Sequence, residues 1–224
     1  MAQFPAGGTV TAVEPQKRRK NRVNVHIDGE FAFGLDREVA EKYGIEQDRV
    51  LSREEIRQIL EEEEYKRGLN RAFRILAARS RSEKEVRDRL LEAGYPEVIT
   101  EKIIARCREL GFLNDAEFAY RFAEDRLRNR PMGREMLKRE LLSRGIGEEL
   151  AASAVDNAYA QTDELELARD LIARKISRWQ DEPKPKVREK MARFLISRGF
   201  GWEIVQTLYH EIESNLRDSL TDDR

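Results

Sequence analysis

The rhythm of apolar and polar positions changes near residue 36. Before it, TVTAV (9–13), RVNVHI (22–27) and FAFGL (31–35) alternate with period two, the pattern of half-buried strands. Asp28-Gly29 separates the second and third of these. A two-residue turn there sets Val25 opposite Ala32 and sends Phe31 and Phe33 to the other face. A three-residue loop with Gly29 in the left-handed region keeps Val23 and Val25 beside both phenylalanines, so a bulged loop is expected. An isolated hairpin is marginal in water, so this sheet should pack on the helices that follow.

After the strands the apolar spacing becomes helical. Asp36 suits an N-cap for DREVAEKYG, which Gly44 ends. Ser52-Arg53-Glu54-Glu55 is a capping-box pattern that opens a longer helix through the acidic 61–64 stretch, whose glutamates read as a solvated face. Gly68 alone does not decide whether that helix continues to Arg79.

From residue 66 onward the pattern repeats. LLEAGY (90–95), LLSRGI (141–146) and LISRGF (195–200) align on Gly94, Gly145 and Gly199 with offsets of 51 and 54 residues. Val86, Leu137 and Met191 then coincide, as do Leu90, Leu141 and Leu195, and Leu91, Leu142 and Ile196. This i, i+4, i+5 spacing reads as one apolar stripe, and the glycine just past it suits a left-handed C′ position. A longer helix precedes each pair: RAFRILAAR (71–79), DAEFAYRFAEDRLRN (115–129) and DELELARDLIARKISRW (163–179). The expected fold is mainly all-α, with three tandem three-helix repeats in a curved elongated array and a small N-terminal β-hairpin or three-strand extension. The expected divisions are 1–65 for the extension and linker helices, then repeats at 66–114, 115–161 and 162–218, and a polar tail at 219–224.

Composition limits the chemistry. Charged residues make up 38% of the 224, yet 42 basic and 43 acidic side chains nearly cancel, so no global field compels nucleic-acid binding. The single Cys107 excludes an internal disulfide and sits on a predicted helix, where a buried side chain is expected. No apolar run reaches membrane-spanning length and no signal-peptide order opens the chain, so a cytoplasmic protein without membrane contact is expected. With two histidines, His26 and His210, and one cysteine, metal-ligand spacing is missing. Phosphate-loop and nucleophile-elbow motifs are missing too, so neither catalytic residues, metal nor cofactor are expected, and the chain does not read as an enzyme.

The most basic stretch is RLRNRPMGREMLKRELLSR (126–144), where Arg126, Arg128, Arg130, Arg134, Lys138, Arg139 and Arg144 face only Glu135 and Glu140. Two readings stand side by side: solvated helix ends with intrahelical pairs such as Glu135–Arg139, or a basic surface for phosphates or an acidic protein groove. Lys17, Arg18, Arg19 and Lys20, with Arg22, form a second cluster at a hairpin tip or the start of a strand. Further cations lie around the start of the second helix in the first repeat (Arg71, Arg74, Arg79, Arg81, Lys84, Arg87, Arg89) and in the third (Lys184, Lys186, Arg188, Lys190, Arg193). Their repetition predicts one shared face. Phe112, Phe118, Tyr120 and Phe122 read as core or inter-repeat packing.

Residues 111–146 closely resemble the RecX family of recombinase regulators. The resemblance rests on Gly111-Phe112-Leu113-Asn114-Asp115, Phe118-Ala119, Arg126, Arg130, Gly133, Leu137, Glu140-Leu141 and Arg144-Gly145-Ile146. SRSEKEVRDRLLEAGY resembles that family's opening repeat, and VNVHIDGEFAFGL the strand-rich extension of its longer members. The resemblance implies a monomeric, cytoplasmic, non-enzymatic protein that binds the RecA recombinase filament and modulates it, usually by inhibition. Its setting would be recombination, DNA repair and the SOS response. It also implies that the family's basic positions fall on Arg126, Arg130, Arg134, Lys138 and Arg144. Direct binding to single- or double-stranded DNA is the alternative, and the near-neutral charge weighs against it.

Overall fold

A computed structural model describes residues 7–176, 179 and 183–221. Positions 177–178 of the expected third-repeat helix and 222–224 of the expected tail lie outside the described residues, as do the side chains of Lys184 and of 214–221. The chain falls into two compact units: residues up to Ser80 with Val86–Leu113, and Arg81–Glu85 with Asn114 onward.

In the first unit, strands β1 (Gly8–Gln16), β2 (Arg19–Ile27), β3 (Glu30–Asp36) and the short β4 (Val50–Leu51) form an antiparallel sheet in the order β3-β2-β1-β4. The two-residue β4 is too short to register as a pattern and is invisible in the alternation. The β2–β3 turn differs from the expected loop. Asp28 and Gly29 form a two-residue turn with both φ positive (51° and 85°), pairing Ile27 with Glu30. The bulge sits inside the strands instead. The register shifts between Val25 and His26, so Val25 meets Phe33 while His26 meets Phe31. Phe33 is therefore buried with Val23, Val25 and Leu35, whereas Phe31 is 60% exposed against the His26 ring.

Helix α1 (Arg37–Lys42) starts on the Asp36 cap, and α2 (Arg53–Ala78) on the Ser52–Glu55 capping box. Helix α2 runs unbroken through Gly68. That glycine is buried where α2 crosses α4 (Glu97–Glu109), and a Cβ there would lie 2.4 Å from Ile103 and 3.1 Å from Tyr95. The glycine permits close helix approach rather than a break. Glu63 corrects the reading of 61–64 as a solvated face. It is 4% exposed, accepts from Arg22 at 2.6 Å and from the Asp36 amide at 2.7 Å, and ties α2 to the sheet.

The remaining helices are α3 (Glu83–Glu92), α5 (Asp115–Asn129), α6 (Arg134–Ser143), α7 (Glu148–Tyr159), α8 (Glu164–Ile176), α9 (Lys184–Ser197) and α10 (Trp202–Thr221). Helices α3, α6 and α9 end alike. Gly94, Gly145 and Gly199 have φ of 86°, 83° and 82°. Each following amide (Tyr95, Ile146, Phe200) reaches back to the carbonyl of Leu90, Leu141 or Leu195, and each glycine amide to Leu91, Leu142 or Ile196. These are three copies of one Schellman closure, and Gly111 adds a fourth at the end of α4 through Phe112 and Cys107.

The expected stripe narrows. Val86 and Leu90, Leu137 and Leu141, and Met191 and Leu195 are essentially buried. Leu91, Leu142 and Ile196 lie one residue, about 100° of rotation, further round the helix and are 39%, 37% and 51% exposed.

In the second unit, two joints of the same design follow one another. The Ser82 hydroxyl, at the start of α3, donates to the Arg144 carbonyl at 2.7 Å, and the Glu83 amide donates to Asp115 at 2.8 Å. At corresponding positions, the Gly133 amide donates to the Arg198 carbonyl at 2.8 Å, and the Arg134 amide to Glu164 at 3.0 Å. The starts of α3 and α6 are thus each capped by a helix-ending carbonyl and by a carboxylate on the first turn of α5 or α8.

Candidate partner-binding surface

The basic stretch 126–144 runs from the last turn of α5 through α6. Arg130 precedes Pro131, which disfavours helical geometry before it, and α5 closes there. Met132 is buried and its carbonyl accepts the Tyr159 hydroxyl. Burial raises the Tyr159 phenol well above its ordinary value, so it remains a donor. Gly133 then begins α6 so close to the end of α9 that a Cβ would lie 2.1 Å from the Gly199 carbonyl. No other residue fits that joint.

Four of the seven cations are held by neighbours. Arg126 donates to Glu140 at 2.7 Å and covers one part of the Phe122 ring, while Arg144 lies 4.4 Å from the same ring centre. Arg134 pairs with Asp156 at 2.7 Å and stacks over Tyr159. Lys138 pairs with Glu148 at 2.5 Å, and this hydrogen bond holds its ammonium above the ordinary lysine value. These side chains bind α5, α6 and α7 together.

Arg128, Arg130 and Arg139 are exposed and have no carboxylate partner among the described residues. The expected Glu135–Arg139 pair does not form, although the spacing allows it. Lys17 and Arg18 occupy the turn between β1 and β2, and Arg19 and Lys20 open β2, all four exposed. Arg22 does not join them, because it turns inward to Glu63 and to the Gly34 carbonyl.

Two of the cations expected on a repeated face are engaged locally. Arg87 forms a bidentate bridge to Glu101 of α4, and Arg188 stacks over Tyr209 of α10, each turned onto its own repeat. Of the four aromatics read as packing, Phe118 is buried and Tyr120 and Phe122 are half-buried. Phe112 is 58% exposed, with one edge against Phe73.

A feature the alternation did not flag is an open groove of about 260 Å³ between α6 and the C-terminal turn of α9. Met136, Arg139, Glu140 and Ser143 form one wall, Ile196 and Ser197 the other. The signal available in the sequence is the i+5 isoleucine, Ile196, which a stripe of core positions conceals.

Family descriptions match along the chain in order. The Regulatory protein RecX N-terminal domain covers residues 8–52, and the first, second and third RecX three-helix domains cover 69–107, 114–155 and 162–208. The chain belongs to the RecX family. The Regulatory protein RecX of Clostridium perfringens strain SM101 is 33% identical over 93% of this chain and 98% of its own length. That of Clostridium acetobutylicum is 27% identical over 92% of this chain and 97% of its own. The fold also matches a crystal structure of regulatory protein RecX, with a TM-score of 0.68 and 24% identity over 88% of this chain and 97% of that one. RecX from Lactobacillus salivarius matches with a TM-score of 0.59 and 23% identity, over 67% of this chain and 97% of that one. This RecX family is one of regulatory proteins. Among the described residues no helix is long and apolar enough to cross a membrane.

Proposed function

We propose that this protein binds the filament that the RecA recombinase forms on DNA and curbs its ATP hydrolysis and strand exchange. It would act as a cytoplasmic monomer in recombination and DNA repair, with no catalytic group of its own. The observation that supports this reading is the family match across all four domains, in a chain whose middle repeat leaves Arg128, Arg130 and Arg139 exposed, with no carboxylate partner among the described residues. Such arginines on a helical scaffold suit a carboxylate-bearing protein surface as well as phosphate. A net formal charge of −1 favours the protein partner over free DNA. The test is ATP hydrolysis by RecA on single-stranded DNA as the protein is added. Unchanged turnover at saturation would refute the reading.

A second reading, direct DNA binding, is favoured by one observation: four consecutive exposed cations, Lys17 to Lys20, crown the β1–β2 hairpin. It predicts affinity for bare DNA that falls steeply with salt, because each phosphate contact releases counterions. A shallow salt slope, or no binding, counts against it.

A further inference from the structure

The groove between α6 and the end of α9 has an uneven chemistry. Its serines are spent as donors: Ser143 Oγ donates to the Glu140 carbonyl and Ser197 Oγ to the Phe194 carbonyl, both at 2.8 Å. Glu140 is neutralised by Arg126 at 2.7 Å. Among the described residues, Arg139 is the one uncompensated charge on its lining, and beside it stand half-buried Met136 and the 51% exposed Ile196. The fold explains the buried leucines, the glycines and the joint arginines of ELLSRG and FLISRG. It does not use Arg139 or Ile196.

Each helix also carries an exposed arginine beside an exposed aliphatic side chain. Arg139 and Leu142 on α6, and Arg193 and Ile196 on α9, are each three residues apart and so neighbours on one helix face. Both arginines are exposed without a carboxylate partner among the described residues, and both aliphatic side chains are exposed. A phosphate backbone would engage the arginines but gain nothing by covering Leu142 and Ile196. Removing that aliphatic surface from water requires an apolar partner.

We propose that this groove docks a protein segment carrying an aliphatic or aromatic side chain about one helical turn from a carboxylate. The apolar side chain lies against Met136 and Ile196, and the carboxylate takes Arg139 as a two-point contact. The partner chosen for the test rests on the filament reading above.

The experiment measures binding of the full chain to RecA filaments on labelled single-stranded DNA, and to the same DNA without RecA. Ile196→Glu and Arg139→Glu are compared with the unaltered protein, with circular dichroism as the folding control. Each variant should bind the filament about tenfold more weakly or worse, as a central contact does, with bare-DNA affinity unchanged. Full filament affinity in both variants overturns the groove while leaving the filament reading intact. An equal loss on bare DNA overturns it in favour of a nucleic-acid contact. If the unaltered protein ignores the filament, the functional reading falls and takes this proposal with it. Should Ile196→Glu not fold, Arg139→Ala and Arg139→Glu carry the same comparison.

Discussion

The Ser82 hydroxyl and the Arg144 carbonyl, 62 residues apart in sequence, meet at 2.7 Å. Ser82 is fully buried and also accepts the Glu85 amide at 3.2 Å, so one hydroxyl closes a helix start and a helix end together. Gly133 and Arg198 repeat the contact with a backbone amide as donor.

Ser82→Ala removes a cap and leaves the Arg144 carbonyl without its donor. A loss of about 1–3 kcal/mol is expected in urea unfolding. Ser52→Ala, which removes an exposed cap only, should cost about 1 kcal/mol. Equal losses would show that the joint contributes nothing.

Gly94→Ala and Gly199→Ala share a left-handed backbone but not their surroundings. No atom lies within 4 Å of a Cβ at Gly94, so its cost should stay at about 1–2 kcal/mol. At Gly199 a Cβ would lie 2.6 Å from the Met136 amide nitrogen. Calorimetry should show a much larger fall in Tm for Gly199→Ala.

Glu63→Ala strands the Arg22 guanidinium, which is only 17% exposed, and should cost about 3–5 kcal/mol. Glu62 forms a more open pair with Lys42, and Glu62→Ala should cost at most about 1 kcal/mol. Denaturant midpoints of the two variants separate the cases.

The hydrogen bond from Arg87 holds the Glu101 carboxyl below its ordinary value of 4.5. A depressed folded value contributes stability above pH 4.5 that is lost as pH falls through the folded value. Carboxyl NMR titration should place the Glu101 midpoint below 4.5, returning toward it in Arg87→Ala. An unmoved midpoint would mean the bridge does not persist in solution.

Reversing Arg128, Arg130 and Arg139 to glutamate should weaken filament binding with the circular dichroism unchanged, since these exposed side chains brace no other element among the described residues. Reversing Arg134 should lower stability as well, because Asp156, Glu164 and Tyr159 all face it. Intact filament binding by the triple variant would remove those three residues from the interface.

Periodicity made the repeats legible because a glycine closure is local: three residues and two hydrogen bonds define it, and all lie within one hexapeptide. Asp36 and Ser52 were legible as caps for the same reason. What escaped depended on residues far apart in sequence. Glu63 reads as solvated beside three other glutamates until Arg22, 41 residues away, arrives. The face of Leu142 and Ile196 depends on one further step round a helix, which a stripe of i, i+4 and i+5 cannot resolve. Basic spacing located the charged region of the middle repeat, yet only packing separates Arg126 and Arg134, which brace helices, from Arg128, Arg130 and Arg139.

The third second-helix differs from its two predecessors by one added turn. Helix α9 has 14 residues where α3 and α6 have 10, and the position matching Gly133 is Val187, whose amide already bonds to Pro183 at 3.2 Å. The donor that would receive another module has been absorbed into the helix itself. A designer lengthening this protein by duplication would therefore need to splice the new module ahead of α8, keeping α8 to α10 as the last module.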